Sequence, residues 1–204
     1  MHPNPIYRTD EQVKILSFAT ERGFGTLAMN GEAGPLISHV PFVIDGTVAR
    51  IHLMRSNPIA RALAEGSAGA VLAVNGPDSY ISPDWYQMVD QVPTWNYVAV
   101  HLRGRLKLAP EGDLRAYVEQ LSAAFEARLA PKTPWTLSKT SGDVTARLMR
   151  MILPVELEIE STDGTWKLAQ NKPKEARHAA ADRLERGGIG SEVAALATLM
   201  RAVD

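Results

Sequence analysis

Residues 92–108, "VPTWNYVAVHLRGRLKL", decide what kind of fold this chain adopts. From Asn96 the stretch alternates. Asn96, Val98, Val100, Leu102, Gly104, Leu106 and Leu108 share one parity, and it is mostly apolar. Trp95, Tyr97, Ala99, His101, Arg103, Arg105 and Lys107 share the other. A period of two sends these sets to opposite faces of a β-strand. The first set is an ordinary core face. The second carries two aromatics, a histidine and three cations. Arg and Lys stems lying over a solvated face would account for the cations alone. Trp and Tyr beside them suit a flat anionic ligand or a subunit interface, and that reading stands slightly ahead.

The chain around this strand reads as hairpins with helices at the edges. Residues 10–22 form a helix, with Asp10 as its cap and Gly23 at its end. "FGTLAMN" (24–30), "LISHVPFVI" (36–44) and "TVARIHLM" (47–54) read as strands. Asp45-Gly46 is a hairpin dipeptide. "NPIARALAEG" (57–66) is a short helix, with Asn57 capping and Pro58 at the first position. "GAVLAVNGP" (69–77) is a strand, and 78–93 a loop. Leu114, Val118, Leu121 and Phe125 mark a helix over 111–130. "TARLMRMI" (145–152) reads as a short helix, 154–168 as strand, turn, strand, and 173–203 as two helices split by "RGGIG". This pattern is α+β, mainly antiparallel β, a barrel or sandwich and not a doubly wound sheet.

Composition narrows the chemistry. The 204 residues hold 22 Lys+Arg against 23 Asp+Glu, so there is no bulk charge to attract nucleic acid or a membrane. There is no cysteine, which excludes disulfides, thiolate metal sites and a thiol nucleophile, and fits a reducing compartment. The opening "MHPNPIYRTDEQ" lacks a signal-peptide core, and no stretch approaches ~20 apolar residues. A cytoplasmic protein is expected. No histidine pair has metal-ligand spacing, and G-x-S-x-G, G-x-x-x-x-G-K and G-x-G-x-x-G are missing from the sequence. No metal site is expected and no catalytic set is readable, so any chemistry would be carried by a cofactor. "SEVAALATLMRAVD" (191–204) has one cation and many alanines, unlike a recognition helix, so direct DNA binding is not expected to be tight.

"HLMRSNP" (52–58) places Arg55, Ser56 and Asn57 where a strand feeds a helix. Those groups at a helix start can form an anion site. Taken alone, they read more readily as a well-capped helix beginning beside a solvated arginine.

Together, "MHPNPIYRTD", "SHVPFVID", "HLMRSNP", "GPDSYISPDWY", "VPTWNYVAVHLRG" and "KLAQNKP" resemble the PaiB-like proteins, often called FMN-binding negative transcriptional regulators. The resemblance spans nearly the whole chain. It implies an FMN-binding split β-barrel with peripheral helices and a C-terminal helix pair. The barrel would cover 1–170 and the helical extension 171–204, and the protein would be a homodimer holding FMN at its interface. It puts the flavin phosphate at His52, Met54, Arg55, Ser56 and Asn57. It puts the isoalloxazine against His39, Val40 and Pro41. A second wall, from either subunit, would come from Trp95, Asn96, Tyr97 and His101, with Gln170 and Asn171 nearby. Two departures stand out: Ala169 replaces a serine usual in the family, and only "QMVDQ" separates "WY" from "VPTWNY". The resemblance leaves regulator and FMN-dependent oxidoreductase both open. A haem-handling split barrel with a strand histidine as axial ligand is a third reading.

Overall fold

The structure is a computed structural model and describes residues 2–203. Nine strands, in chain order, are β1 (Arg8–Thr9), β2 (Phe24–Gly31), β3 (Gly34–Pro41), β4 (Val43–Asp45), β5 (Val48–Met54), β6 (Ala68–Ile81), β7 (Thr94–Leu108), β8 (Ile152–Lys167) and β9 (Gly190–Ser191). The helices are α1 (Gln12–Arg22), α2 (Pro58–Ala62), α3 (Leu114–Glu126), α4 (Gly142–Met149), α5 (Lys174–Gly187) and α6 (Val193–Arg201). Strands pair in the order β3-β2-β6-β7-β8-β5-β4, with β1 beside β8 and β9 beside β6. The registered pairs among β2–β6, β8 and β9 are antiparallel, as the hairpin reading expected. No helix among the described residues is long and apolar enough to cross a membrane.

The chain forms two compact units: Met1–Ile15, Val74–His101 and Asp163–Asp204 make the first, Leu16–Ala73 and Leu102–Thr162 the second. The first unit is built on the alternation of β7. Val98 and Val100 are buried, as are Ile81, Leu168 and the inner faces of α5 and α6. Those two helices pack through Ala180, Ala181, Leu184, Leu196 and Ala197, all buried. Small side chains let the backbones approach. Arg177, only 3% exposed, donates from Nε to the Met200 carbonyl (2.8 Å) and from Nη2 to that of Val203 (2.5 Å), so it caps the end of α6.

In the second unit, Leu102 and Leu106 of β7 are buried with Leu27, Phe42, Ile51, Leu72 and Leu157. Gly104 is required by a close approach: an added Cβ would lie 1.8 Å from the Glu158 carbonyl oxygen. The cap at Asn57 is real, since its side chain accepts from the Ile59 N–H at 2.8 Å.

Two segments differ from expectation. The loop expected over 78–93 is strand as far as Ile81. Asp78 and Ser79 pair with β9, and buried Ser79 donates to the Ile189 carbonyl at 2.7 Å, so distant residues supply the ladder. The strand-turn-strand expected over 154–168 is one strand, β8. Its first half pairs with β5, and Gly164 and Thr165 pair with β1. Pairing overrides the turn preference of "TDG".

Candidate functional site

The expected site residues fall into two groups, one in each unit. In the second unit, His39, Val40 and Pro41 lie on β3, His52 and Met54 on β5, and Arg55, Ser56 and Asn57 in the turn before α2. One bond gathers them: Asn57 Nδ2 donates to Ser38 Oγ at 2.8 Å, fastening the turn to β3 beside His39. His39 Nδ1 is 3.2 Å from Thr26 Oγ1. Val40 is buried and offers only its backbone to any ligand. His52 is half-buried, and burial pushes its imidazole below the ordinary value.

Register defines a flat face here. Pro41 pairs with Phe24, His39 with Thr26 and Ile37 with Ala28. Thr26 and Ala28 pair in turn with Ala73 and Val71. Directly paired residues point to the same side. The result is a half-exposed apolar surface on which Phe24 and Ile37 are 56% and 61% exposed. Beyond Ala28 and Val71 it runs into an open groove of ≈ 560 Å³ that Arg103 and Glu160 also line. No sequence motif marks Phe24 or Ile37 as site residues. Their signal was a large apolar residue on the parity opposite the core.

Arg55 has an acidic partner that the sequence did not announce. Its Nη1 and Nη2 donate to Glu111 Oε1 (3.1 Å) and Oε2 (2.5 Å), and its Nε donates to the Arg150 carbonyl at 2.9 Å. The hydrogen bond raises Arg55 and holds the Glu111 carboxyl below its ordinary range. Both side chains are exposed. Ser56 is exposed as well. This donor set, a guanidinium and a hydroxyl, has the chemistry that a phosphate ester needs.

In the first unit, Trp95, Asn96, Tyr97 and His101 lie on β7, and Gln170 and Asn171 follow β8. Trp95 is 46% exposed and meets the edge of Tyr80. Both ends of the Gln170 amide bind nearby backbone: Oε1 accepts from Leu168 N–H at 2.8 Å, and Nε2 donates to the Trp166 carbonyl. This brace holds a turn in which Ala169 has φ +63°. Asn96 and Asn171 line a cavity of ≈ 290 Å³. Four segments converge on it: the opening turn around Tyr7, the turn ending at Tyr86, Val92–Asn96, and Lys167–Lys172. Lys167 Nζ donates to Thr94 Oγ1 at 2.5 Å, and burial lowers its pKa. Tyr86, pushed up to about 12 by burial, stays a phenol.

Residues 1–161 match a family model described as "Putative FMN-binding domain". The chain is similar to Protease synthase and sporulation protein PAI 2 of Bacillus subtilis, 25% identical over 84% of this chain and 83% of that one. By structure it resembles a FAD and heme binding protein from Mycobacterium smegmatis, with TM-score 0.58, 18% identity, and 79% and 73% of the two chains covered. It also resembles the conserved protein Rv2991 from Mycobacterium tuberculosis, with TM-score 0.58, 12% identity, and 85% and 94% covered. At these identities the structures speak for the fold, and the split-barrel class expected from the resemblance stands.

Proposed function

We propose, from the premise that this chain belongs to the FMN-binding-domain family, that its flavin lies on the second unit, on the sheet face of Phe24, Ile37 and His39, with its phosphate at Arg55 and Ser56. The observation that carries this is the Asn57–Ser38 bond at the edge strand β3: Ser38 faces the core side, opposite Ile37 and His39, so the turn with Arg55 and Ser56 is held at that edge and the ligand would pass around it from the outward face. A ligand with a flat ring at one end and an anion at the other suits that pairing of surfaces.

Each residue then has a role. Arg55 exchanges the Glu111 carboxylate for the phosphate while its Nε stays on the Arg150 carbonyl. Ser56 donates its hydroxyl. Asn57 positions the turn through both ends of its amide, and its second Nδ2 hydrogen remains available to the phosphate. Phe24, Ile37 and Pro41 exclude water from one face of the ring, and His39 supplies a polar edge. Bound flavin supplies hydride or single-electron transfer.

A flavin-dependent regulator is the reading we favour over an oxidoreductase. The similarity to PAI 2 supports it. Such a regulator would not read DNA with α6, whose one cation is Arg201. Arg177 is buried against carbonyls, and Arg201 is paired with Asp182 and Glu185. The outward face of β7, with Trp95, Tyr97 and His101, is the surface proposed for a second copy of the chain.

The test is a fluorescence titration of the protein with FMN and with riboflavin. FMN binds more tightly on this reading, by at least about twofold after the Glu111 pair is displaced, because only it carries the anion. Equal affinities would remove the phosphate from Arg55 and Ser56.

A further inference from the structure

We propose that the ≈ 310 Å³ cavity between α3 and the segment that follows it is a ligand site for a free α-amino acid with an apolar side chain. The cavity lies wholly in the second unit, and the proposal does not depend on the flavin reading.

The cavity exists because the chain folds back beside α3. Arg115, Glu119, Ser122 and Ala123 recur at helical spacing and form one stripe of the helix. Leu114, Tyr117 and Leu121 take the opposite, buried face. Trp135 and Leu137 are held beside the outer stripe. Glu126 fastens them there, since its Oε2 accepts from the Trp135 backbone N–H at 2.7 Å and from Lys132 Nζ. Nearer α3, Arg128 ties the same segment to α1, donating to the Thr20 and Glu21 carbonyls at 2.9 and 2.6 Å. Ser122 and Ala123 are small, so the space between helix and segment stays open.

The walls select the body of the ligand. Trp135, half-buried, offers a flat ring, and Leu137 and Ala123 add apolar surface. The volume is at the small end of ligand pockets. One ring or one branched chain fits, and a nucleotide does not.

The charges select the head. Arg115 Nε lies 3.0 Å from Glu119 Oε1, one helical turn on, so the cavity presents a positive and a negative group side by side. These side chains are 64% and 48% exposed, and a cation preceding its anion is the weaker order on a helix. The pair is therefore easily opened or shared. Its one bond uses Nε and leaves the two terminal nitrogens of Arg115 to receive a carboxylate. A simple anion would gain Arg115 and be repelled by Glu119, and a simple cation the reverse. An α-amino acid carries both charges on one carbon and answers both groups, its carboxylate at Arg115 and its ammonium at Glu119. Ser122, one turn beyond Glu119, has a hydroxyl that can accept from the same ammonium.

The experiment is calorimetric titration of the full chain with L-phenylalanine, 3-phenylpropionate, 2-phenylethylamine and L-serine. L-Phenylalanine should bind tightest. 3-Phenylpropionate and 2-phenylethylamine keep the ring and lose one charge, and each should bind at least about fivefold more weakly. L-Serine keeps the head and loses the ring, and should bind at least about tenfold more weakly. Arg115→Gln should weaken L-phenylalanine at least about fivefold without weakening 2-phenylethylamine. Glu119→Gln should weaken L-phenylalanine without weakening 3-phenylpropionate. Both positions are exposed, and the ligand series tests the same contacts without a variant. Absence of saturable L-phenylalanine binding at millimolar concentration overturns the proposal. So does equal binding of the three phenyl compounds, or unchanged L-phenylalanine binding in both variants.

Discussion

Replacing Arg55 and Glu111 in turn should move FMN affinity in opposite directions. Arg55 now holds Glu111 through two hydrogen bonds, so a phosphate must displace a carboxylate. A charge-assisted hydrogen bond to phosphate raises affinity roughly tenfold to a hundredfold. Against this stands the Glu111 pair. Its side chains are 41% and 63% exposed, and such a pair is worth at most about fivefold. Dividing the two leaves Arg55→Ala weakening FMN by roughly twofold to twentyfold if the pair is at its strongest, and by up to about a hundredfold if it contributes nothing. Glu111→Gln removes the competitor and should tighten FMN by up to about fivefold. Riboflavin should change less than about twofold in either variant, having no phosphate to lose. Flavin fluorescence titrations at low salt measure all the combinations, and raising the salt should shrink the Glu111 effect by screening. If folded Arg55→Ala bound FMN as the parent does, or if Glu111→Gln bound it more weakly, the exchange would be refuted.

Gly104→Ala should lower stability by about 3 kcal/mol or more, because its Cβ meets the backbone of a neighbouring strand. In a chain of this size that is roughly a 6–12 °C fall in melting temperature, and an unchanged melt would contradict the described approach of β7 to Glu158. Arg177→Met should cost about 3 kcal/mol by leaving the Met200 and Val203 carbonyls unpaired, measured by urea unfolding. Burial lowers the folded pKa of His52, so the unfolded chain binds the proton more readily. Stability should therefore fall as pH drops from about 6.5 through the lowered folded value, and His52→Gln should flatten that slope. An identical slope in the variant would remove His52 as its source.

What the sequence disclosed was local. The parity of residues 95–108 is visible because strand periodicity is two, and the buried and outward sets of β7 follow it. The start of α2 was legible because Asn57 and Pro58 act within two residues of the cap. The continuation of β6 to Ile81 was hidden, since its partner is Gly190–Ser191, more than a hundred residues on. Glu111 was hidden for the same reason: nothing near residue 111 points to Arg55. Asn96 sat on the core parity and looked like one polar residue among valines. Its place beside Tyr86 and Met200 is set by residues far along the chain. "VPTWNY" and "KLAQNKP" were recognised as signatures, but their convergence is a property of the fold.

The claim that this chain is a flavin protein is tested most directly by an absorption spectrum of the purified protein, followed by release of its ligand on denaturation. The account predicts flavin bands, no Soret band, and a released compound that is FMN. A protein without flavin bands that also fails to quench added FMN would contradict it.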